Sequence, residues 1–189
     1  MHRTICDFTL DIIHNAIEAG SSLILVDFIE SRDELKVFVA DNGLGMSEER
    51  LREVRDPFST DGTKHQDRKV GLGLAFTSQA VEMAGGDFEI DSRPDHGNSV
   101  MIRFPLAHID TPPIGELAET LLAAFSYPGD FEMVVNRRLP DSGGEYSLVR
   151  SELAEALGGF ETSGALRLLR KYLDSQEILA VPANKEGSV

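Results

Sequence analysis

Cysteine occurs once in these 189 residues, at Cys6, and tryptophan does not occur. A single thiol excludes an internal disulfide, a four-thiolate iron–sulfur set and a cysteine zinc site, so Cys6 reads as a small buried apolar residue. Positive charge is also scarce: 18 Lys and Arg stand against 32 Asp and Glu, a formal net charge of -14. That balance opposes binding to nucleic acid or anionic lipid, whose affinity rests on Lys and Arg neutralising phosphates. The acidity is spread along the chain, with 13 acids and 7 bases in residues 107–189 and 19 and 11 before them. No apolar run approaches the roughly 18 residues that cross a bilayer, and MHRTICDFTLD has no signal-peptide apolar region. The expectation is a cytoplasmic protein with neither nucleic acid nor membrane as partner. Low-complexity sequence is missing too. With 41% hydrophobic and 26% charged residues and ten Phe, the chain has the means to bury a core.

Residues 8–19 carry apolar side chains at helical spacing and stop at Gly20. Two β-branched or aromatic runs, residues 23–30 and 35–41, flank the polar turn SRDE and predict an antiparallel pair. Ser47 before EERLREV is read as opening a capping box on a short helix over 48–55. Residues 56–70, DPFSTDGTKHQDRKV, lack periodicity and read as a loop. GLGLAFTSQAVEMAGG reads as a helix between glycine pairs, and residues 87–93 and 99–106 as a hairpin around PDHGN. The grouping predicts an α+β, two-layer sandwich: a mostly antiparallel sheet with helices on one face. IDTPP at 109–113 breaks regular structure and marks a boundary. Beyond it the pattern predicts a helix over 114–126, strands over 131–137 and 146–150, and helices over 152–157 and 164–174. The expected organisation is a domain over 1–106, a small α+β unit over 107–175 and a polar tail over 176–189.

Three segments of the first domain carry chemistry. Asp11 and Asn15 lie four apart, hence on one helix face, where they serve either a ligand or merely the wet side of the helix. Asp41-Asn42-Gly43-Leu44-Gly45-Met46 follows a strand. It offers a carboxylate acceptor and backbone that a flat ring can approach, yet it is also an ordinary turn. Val70-Gly71-Leu72-Gly73-Leu74 opens a helix, and glycines at a helix N-terminus leave N–H groups exposed as a phosphate seat. It is neither the dinucleotide fingerprint nor a Walker loop.

In this order and spacing, the Asn on the first helix, DxGxG after a strand, a loop with Pro57-Phe58 and then GLGL resemble the ATPase domain shared by gyrase, heat-shock chaperone, histidine kinase and mismatch-repair proteins, the Bergerat fold. The resemblance covers roughly residues 4–106. It implies ATP with Mg²⁺ as ligand. Asn15 would hold the metal, Asp41 would accept from the adenine amino group, Gly43 and Gly45 would let the ring approach, and Met46 would pack on it. Gly71, Leu72 and Gly73 would donate N–H groups to the phosphates. Residues 56–70 would form a lid, with Thr60, Thr63, Lys64, Arg68 and Lys69 as candidates for phosphate contact. Members that hydrolyse ATP or phosphorylate serine keep an acid four residues before the Asn as general base, and Asp11 occupies that position. His14 adjoins Asn15 and reads as a structural histidine rather than a phosphoacceptor. Gly97-Asn98-Ser99 departs from the usual Gly-Thr before the last strand.

The runs DFTLDIIHNAIEAGSSLI, DPFSTDGTKHQDRKVGLGL and AHIDTPPIGELAETL also resemble a small group of stand-alone bacterial ATP-binding proteins encoded beside iron-only hydrogenase genes. Three functions are consistent with these resemblances. One is an ATPase or ATP-dependent switch acting on a protein partner. The second is a kinase passing the γ-phosphate to serine, threonine or histidine of a separate protein, and the third a module that senses ATP or ADP without turnover. A homodimer is left open.

Overall fold

The computed structural model describes residues 4–55 and 72–180. The expected lid, with Lys69, and Gly71 lie outside the described residues. Helix α1, Ile5–Glu18, starts at a capping box in which Thr4 Oγ1 accepts from Asp7 N–H and Asp7 Oδ2 accepts from Thr4 N–H, at 3.1 and 3.0 Å. It buries Ile5, Cys6, Phe8, Ile12, Ile13 and Ala16. Gly20 ends it at φ +74°, where a Cβ would meet nothing within 4 Å, so backbone conformation alone selects glycine there.

Strands β1, Leu23–Glu30, and β2, Glu34–Asp41, follow as an antiparallel pair. Next come α2, Glu48–Arg55, α3, Leu72–Met83, and the hairpin of β3, Asp87–Ser92, with β4, Asn98–Pro105. Only half of the capping box expected on α2 forms. Ser47 Oγ accepts from Arg50 N–H at 3.2 Å, but the third helical position is Arg50 rather than an acid, so no carboxylate reaches back. The remaining elements are α4, Leu117–Phe125, β5, Glu132–Leu139, β6, Gly144–Val149, α5, Arg150–Leu157, and α6, Ser163–Ala180.

Among the described residues the six strands form one sheet in the order β3-β4-β2-β1-β5-β6. Every pairing is antiparallel except β1 with β5, which is parallel in the register Val26↔Val135. Residues 107–180 therefore build onto the sheet of the first domain, filling the edge of β1 that would otherwise expose unpaired backbone. Alternate residues point inward: Ile24, Val26 and Phe28, Val37 and Val39, Ile102 and Phe104, Met133 and Val135 are all buried beneath the helices.

The 109–113 segment docks rather than dangles. Pro113 and Ile114 carbonyls accept from Ile5 and Cys6 N–H, each at 2.9 Å, satisfying amides that the first turn of α1 leaves unpaired. Arg150 clamps the α4–β5 connection by donating to the carbonyls of Phe125, Phe131 and Tyr127, while its guanidinium lies 4.1 Å over the Phe131 ring. Helix α6 runs to Ala180, past Asp174 where periodicity ended it and into the residues expected as tail. Its last turns are held by a 2.5 Å hydrogen bond from Tyr146 Oη to Glu177 and by Ala180 against Gly144.

Candidate functional site

A cavity of about 150 Å³ opens between α1, the loop after β2, α2 and the start of α3. Its floor is apolar, formed by Ile12, Ala16, Ile90, Val100 and Leu74, and its polar groups are few: Asn15, Asp41, Asn98 and Arg50. A mostly apolar hollow with a handful of convergent polar atoms is the usual make-up of a small-molecule site.

Asp41 is the most constrained of these groups. Its Oδ1 accepts from Ser21 Oγ at 2.9 Å and from Gly43 N–H at 2.8 Å, and its Oδ2 accepts from Asn98 Nδ2 at 2.9 Å. A carboxylate offers about four lone-pair sites. Three are filled by protein, so one acceptor position is left for a donor in the cavity. Asn98 is held in turn by Ser92, whose hydroxyl lies 2.7 Å from Asn98 Oδ1 and accepts from Met46 N–H, also at 2.7 Å. This chain of bonds fixes Asp41 and ties Met46, on the cavity wall, to β3.

The glycines of the loop make room for protein. A Cβ on Gly43 would meet Ser21 Oγ at 2.5 Å, and one on Gly45 the Arg93 carbonyl; Gly45 also sits at φ +64°. Both let the loop close onto neighbouring backbone, and Leu44 fastens it further, its N–H donating to Ala19 O and its carbonyl accepting from Asp95 N–H. Asn42 faces away, capping β1 through Ser22 and Leu23 N–H at 2.9 Å each.

Asn15 lines the cavity from α1, and Asp11, one turn earlier, lies against the first turn of α3. An ideal Cβ on Gly73 would stand 1.6 Å from Asp11 Oδ2, so glycine is what lets the two elements approach. Of the sequence-derived residues, Asn15, Asp41, Gly45 and Met46 line the cavity; Gly43 donates to Asp41, Asp11 and Gly73 meet between α1 and α3, and Leu72 is the first residue of α3.

His14 packs its ring against Tyr127, with centroids 4.6 Å apart and planes tilted by 42°. Burial lowers its pKa, opposed by the charges of Asp11 and Glu18. The ring is half-buried, with Nε2 itself buried, which is unlike an exposed phosphoacceptor. Sequence reasoning missed Ser21, Ser92, Asn98 and Arg50. The signal for Asn98 was present in its departure from Gly-Thr, but its partner follows only from the β2–β4 register that sets Asp41 opposite Asn98.

Among the described residues no group of three or more His, Cys, Asp or Glu could hold a metal, and no helix is long and apolar enough to cross a membrane. Residues 4–108 match the family model described as histidine kinase-, DNA gyrase B-, and HSP90-like ATPase. Sporulation kinase A of Bacillus subtilis (strain 168) is 34% identical over 98 residues, covering 51% of this chain and 16% of that protein. The non-motile and phage-resistance protein of Caulobacter vibrioides is 31% identical over 124 residues, covering 58% and 14%. The chain thus spans about a sixth or less of these relatives' length. A crystal structure of the N-terminal domain of a DNA repair protein superposes with a TM-score of 0.54 at 14% identity, covering 87% of this chain and 58% of that one, a likeness of fold.

Proposed function

Because this chain belongs to the family of histidine kinase-, DNA gyrase B- and HSP90-like ATPases, we propose that its cavity binds ATP with magnesium and that the nucleotide state is relayed to a protein partner. The observation that carries this reading is Asp41: a carboxylate fixed by three protein donors, with one acceptor position left, at the wall of an apolar hollow. Such a group selects a flat ring bearing an amino group, as adenine does, over one bearing a carbonyl oxygen there. Met46 supplies apolar contact to the ring, while Gly43 and Gly45 keep the loop in place. The Leu72 and Gly73 amides donate toward phosphate at the start of α3. Lys69 and Gly71 join them on the strength of the sequence motif alone, as does the lid role of residues 56–70.

For magnesium, the fit rests on the donor set. The ion is commonly held by one or two protein oxygens plus substrate phosphates rather than by an all-protein cage. Asn15, which lines the cavity and offers one side-chain oxygen, suits that arrangement. When bound, the ion neutralises charge on the phosphate oxygens. Asp11 accepts the proton of the attacking water or hydroxyl, and Asn15 orients the phosphate end. Residues 107–175 act as the relay. Their support is direct contact with α1, through Pro113 and Ile114 at its first turn and Tyr127 on His14.

A kinase reading, transfer of the γ-phosphate to Ser, Thr or His of a separate protein, draws on the kinase relative and uses the same Asp11 step with a protein hydroxyl or imidazole as nucleophile. An ATP- or ADP-sensing module without turnover is the third form of the proposal. The hydrogenase-related setting rests on the whole-chain sequence resemblance. Phosphate release by wild type and by Asp11→Asn, run beside labelled ATP in lysate, separates the three. Hydrolysis requires release that Asp11→Asn loses while still binding ATP. A kinase requires label on a discrete protein, and a sensor gives neither. Absence of ATP binding would sink all three.

A further inference from the structure

Helix α6 presents a second apolar stripe besides the one that packs into the core. Ala165, Leu169, Leu173 and Ala180 are buried, whereas Leu168 is 58% exposed, Tyr172 43% and Leu179 78%. Together with the half-buried Ser175 these positions are spaced four, three and four residues apart, the repeat of a coiled-coil seam. Over this stretch the stripe is about 17 Å long at 1.5 Å rise per residue. Chains rarely leave such a seam facing water, since each buried leucine side chain is worth about 1.5–3 kcal/mol.

We infer that α6 pairs antiparallel with α6 of a second copy of this chain. The stripe is its own complement under a twofold axis passing between Leu173 and Asp174. Leu168 then faces the copy's Leu179, and Tyr172 faces the copy's Ser175, a large side chain over a small one. Ser175 is suited to that place because its hydroxyl donates to the Tyr172 carbonyl at 2.6 Å, leaving a small neutral surface. Charge selects the antiparallel arrangement. Arg167 and Lys171 are exposed beside the stripe, and a parallel pair would set each against its own copy. In the antiparallel pair they separate toward opposite ends, and the Lys171 stem lies along the copy's Ile178, itself 75% exposed. Self-complementary patches about a twofold are the commonest route to homodimers. One helix pair covers less than the ~800 Å² per partner of a standard stable interface. The dimer is therefore weak, and its population rises with concentration.

Sedimentation velocity on the full chain over a wide concentration series tests this. Wild type should shift from monomer toward dimer as concentration rises, and Leu168→Asp/Leu179→Asp should stay monomeric with an unchanged far-ultraviolet spectrum and melting point, because both side chains face solvent in the monomer. Orientation is read from disulfide trapping, for which the buried Cys6 is a silent background. Tyr172→Cys/Ser175→Cys should form a covalent dimer on mild oxidation far more completely than either single variant. A wild type that stays monomeric throughout, a double-aspartate variant that still dimerises, or single variants that cross-link as well as the double would overturn the inference.

Discussion

Replacing Gly73 by alanine ought to separate binding from turnover. Gly73 lies in the first turn of α3 without a positive φ, so on helix propensity alone alanine gains about 1 kcal/mol. The added Cβ would, however, stand 1.6 Å from Asp11 Oδ2 and 2.8 Å from Asp11 Cγ, against an ordinary contact that begins at 3.4 Å. Since the helix backbone is the stiffer partner, the carboxylate has to retreat by about 2 Å, a change of rotamer rather than a tilt. If the new rotamer is strained, the cost is about 0.5–1.5 kcal/mol, which the propensity gain offsets, so net stability should move by no more than about 1 kcal/mol. For a chain of this size that is a melting shift within about 4 °C. Displacing a general base is far more costly to rate, on the order of 10²–10⁴-fold. The Gly73 N–H, the group assigned to phosphate, survives in alanine. Titration calorimetry with ATP and magnesium should accordingly show affinity within about fivefold of wild type, while single-turnover phosphate release falls as far as in Asp11→Asn. The double variant should lose nothing further. Wild-type turnover in Gly73→Ala, or a rate loss that merely tracks the affinity loss, would refute the reasoning.

Asn98→Ala removes the Asn98 Nδ2 donor from Asp41 Oδ2 and should weaken ATP binding by about tenfold while costing roughly 1–2 kcal/mol of stability in urea titrations. A smaller effect on ATP than on stability would separate the network from recognition. Arg150→Ala strips the Phe125, Phe131 and Tyr127 carbonyls of a shared donor and unstacks Phe131, and should cost about 2–4 kcal/mol by urea unfolding. Burial pushes the Cys6 thiol up to about 11 from an ordinary 9.0. In that window the unfolded chain gives up the proton and the folded chain keeps it, so stability falls as pH rises and levels off above the folded value. The decline should total roughly 2–3 kcal/mol, and Cys6→Ala should show a flatter profile in urea melts from pH 8 to 11.

Much of this molecule was legible because its local signals agree with one another. Gly20 ends α1, alternation marks β2 from Leu35 to Val39, and Asp41 with its glycines stands where a strand stops. The parallel pairing of β1 with β5 was not legible, since apolar alternation says which face of a strand is buried and nothing about which neighbour fills its edge. The holders of Asp41 were hidden for the same reason. Ser21, Ser92 and Asn98 come from three separate stretches and meet only once strand register is set. The loop glycines carried a different lesson: small residues announce close approach, but the chain does not say whether ligand or protein is approaching. Periodicity ended α6 at Asp174, because the contacts that carry it to Ala180 come from β6 and not from its own sequence.

The central claim is that the Asp41 carboxylate, braced by Ser21, Gly43 and Asn98, reads the amino group of adenine. Calorimetric titration of wild type and Asp41→Asn with ATP and with GTP, each with magnesium, tests it most directly. Wild type should bind ATP saturably and GTP much more weakly, and Asp41→Asn, whose melting point in the absence of nucleotide is recorded alongside, should lose that preference. Equal affinity for ATP and GTP in wild type, or undiminished ATP binding by a folded Asp41→Asn, would contradict it.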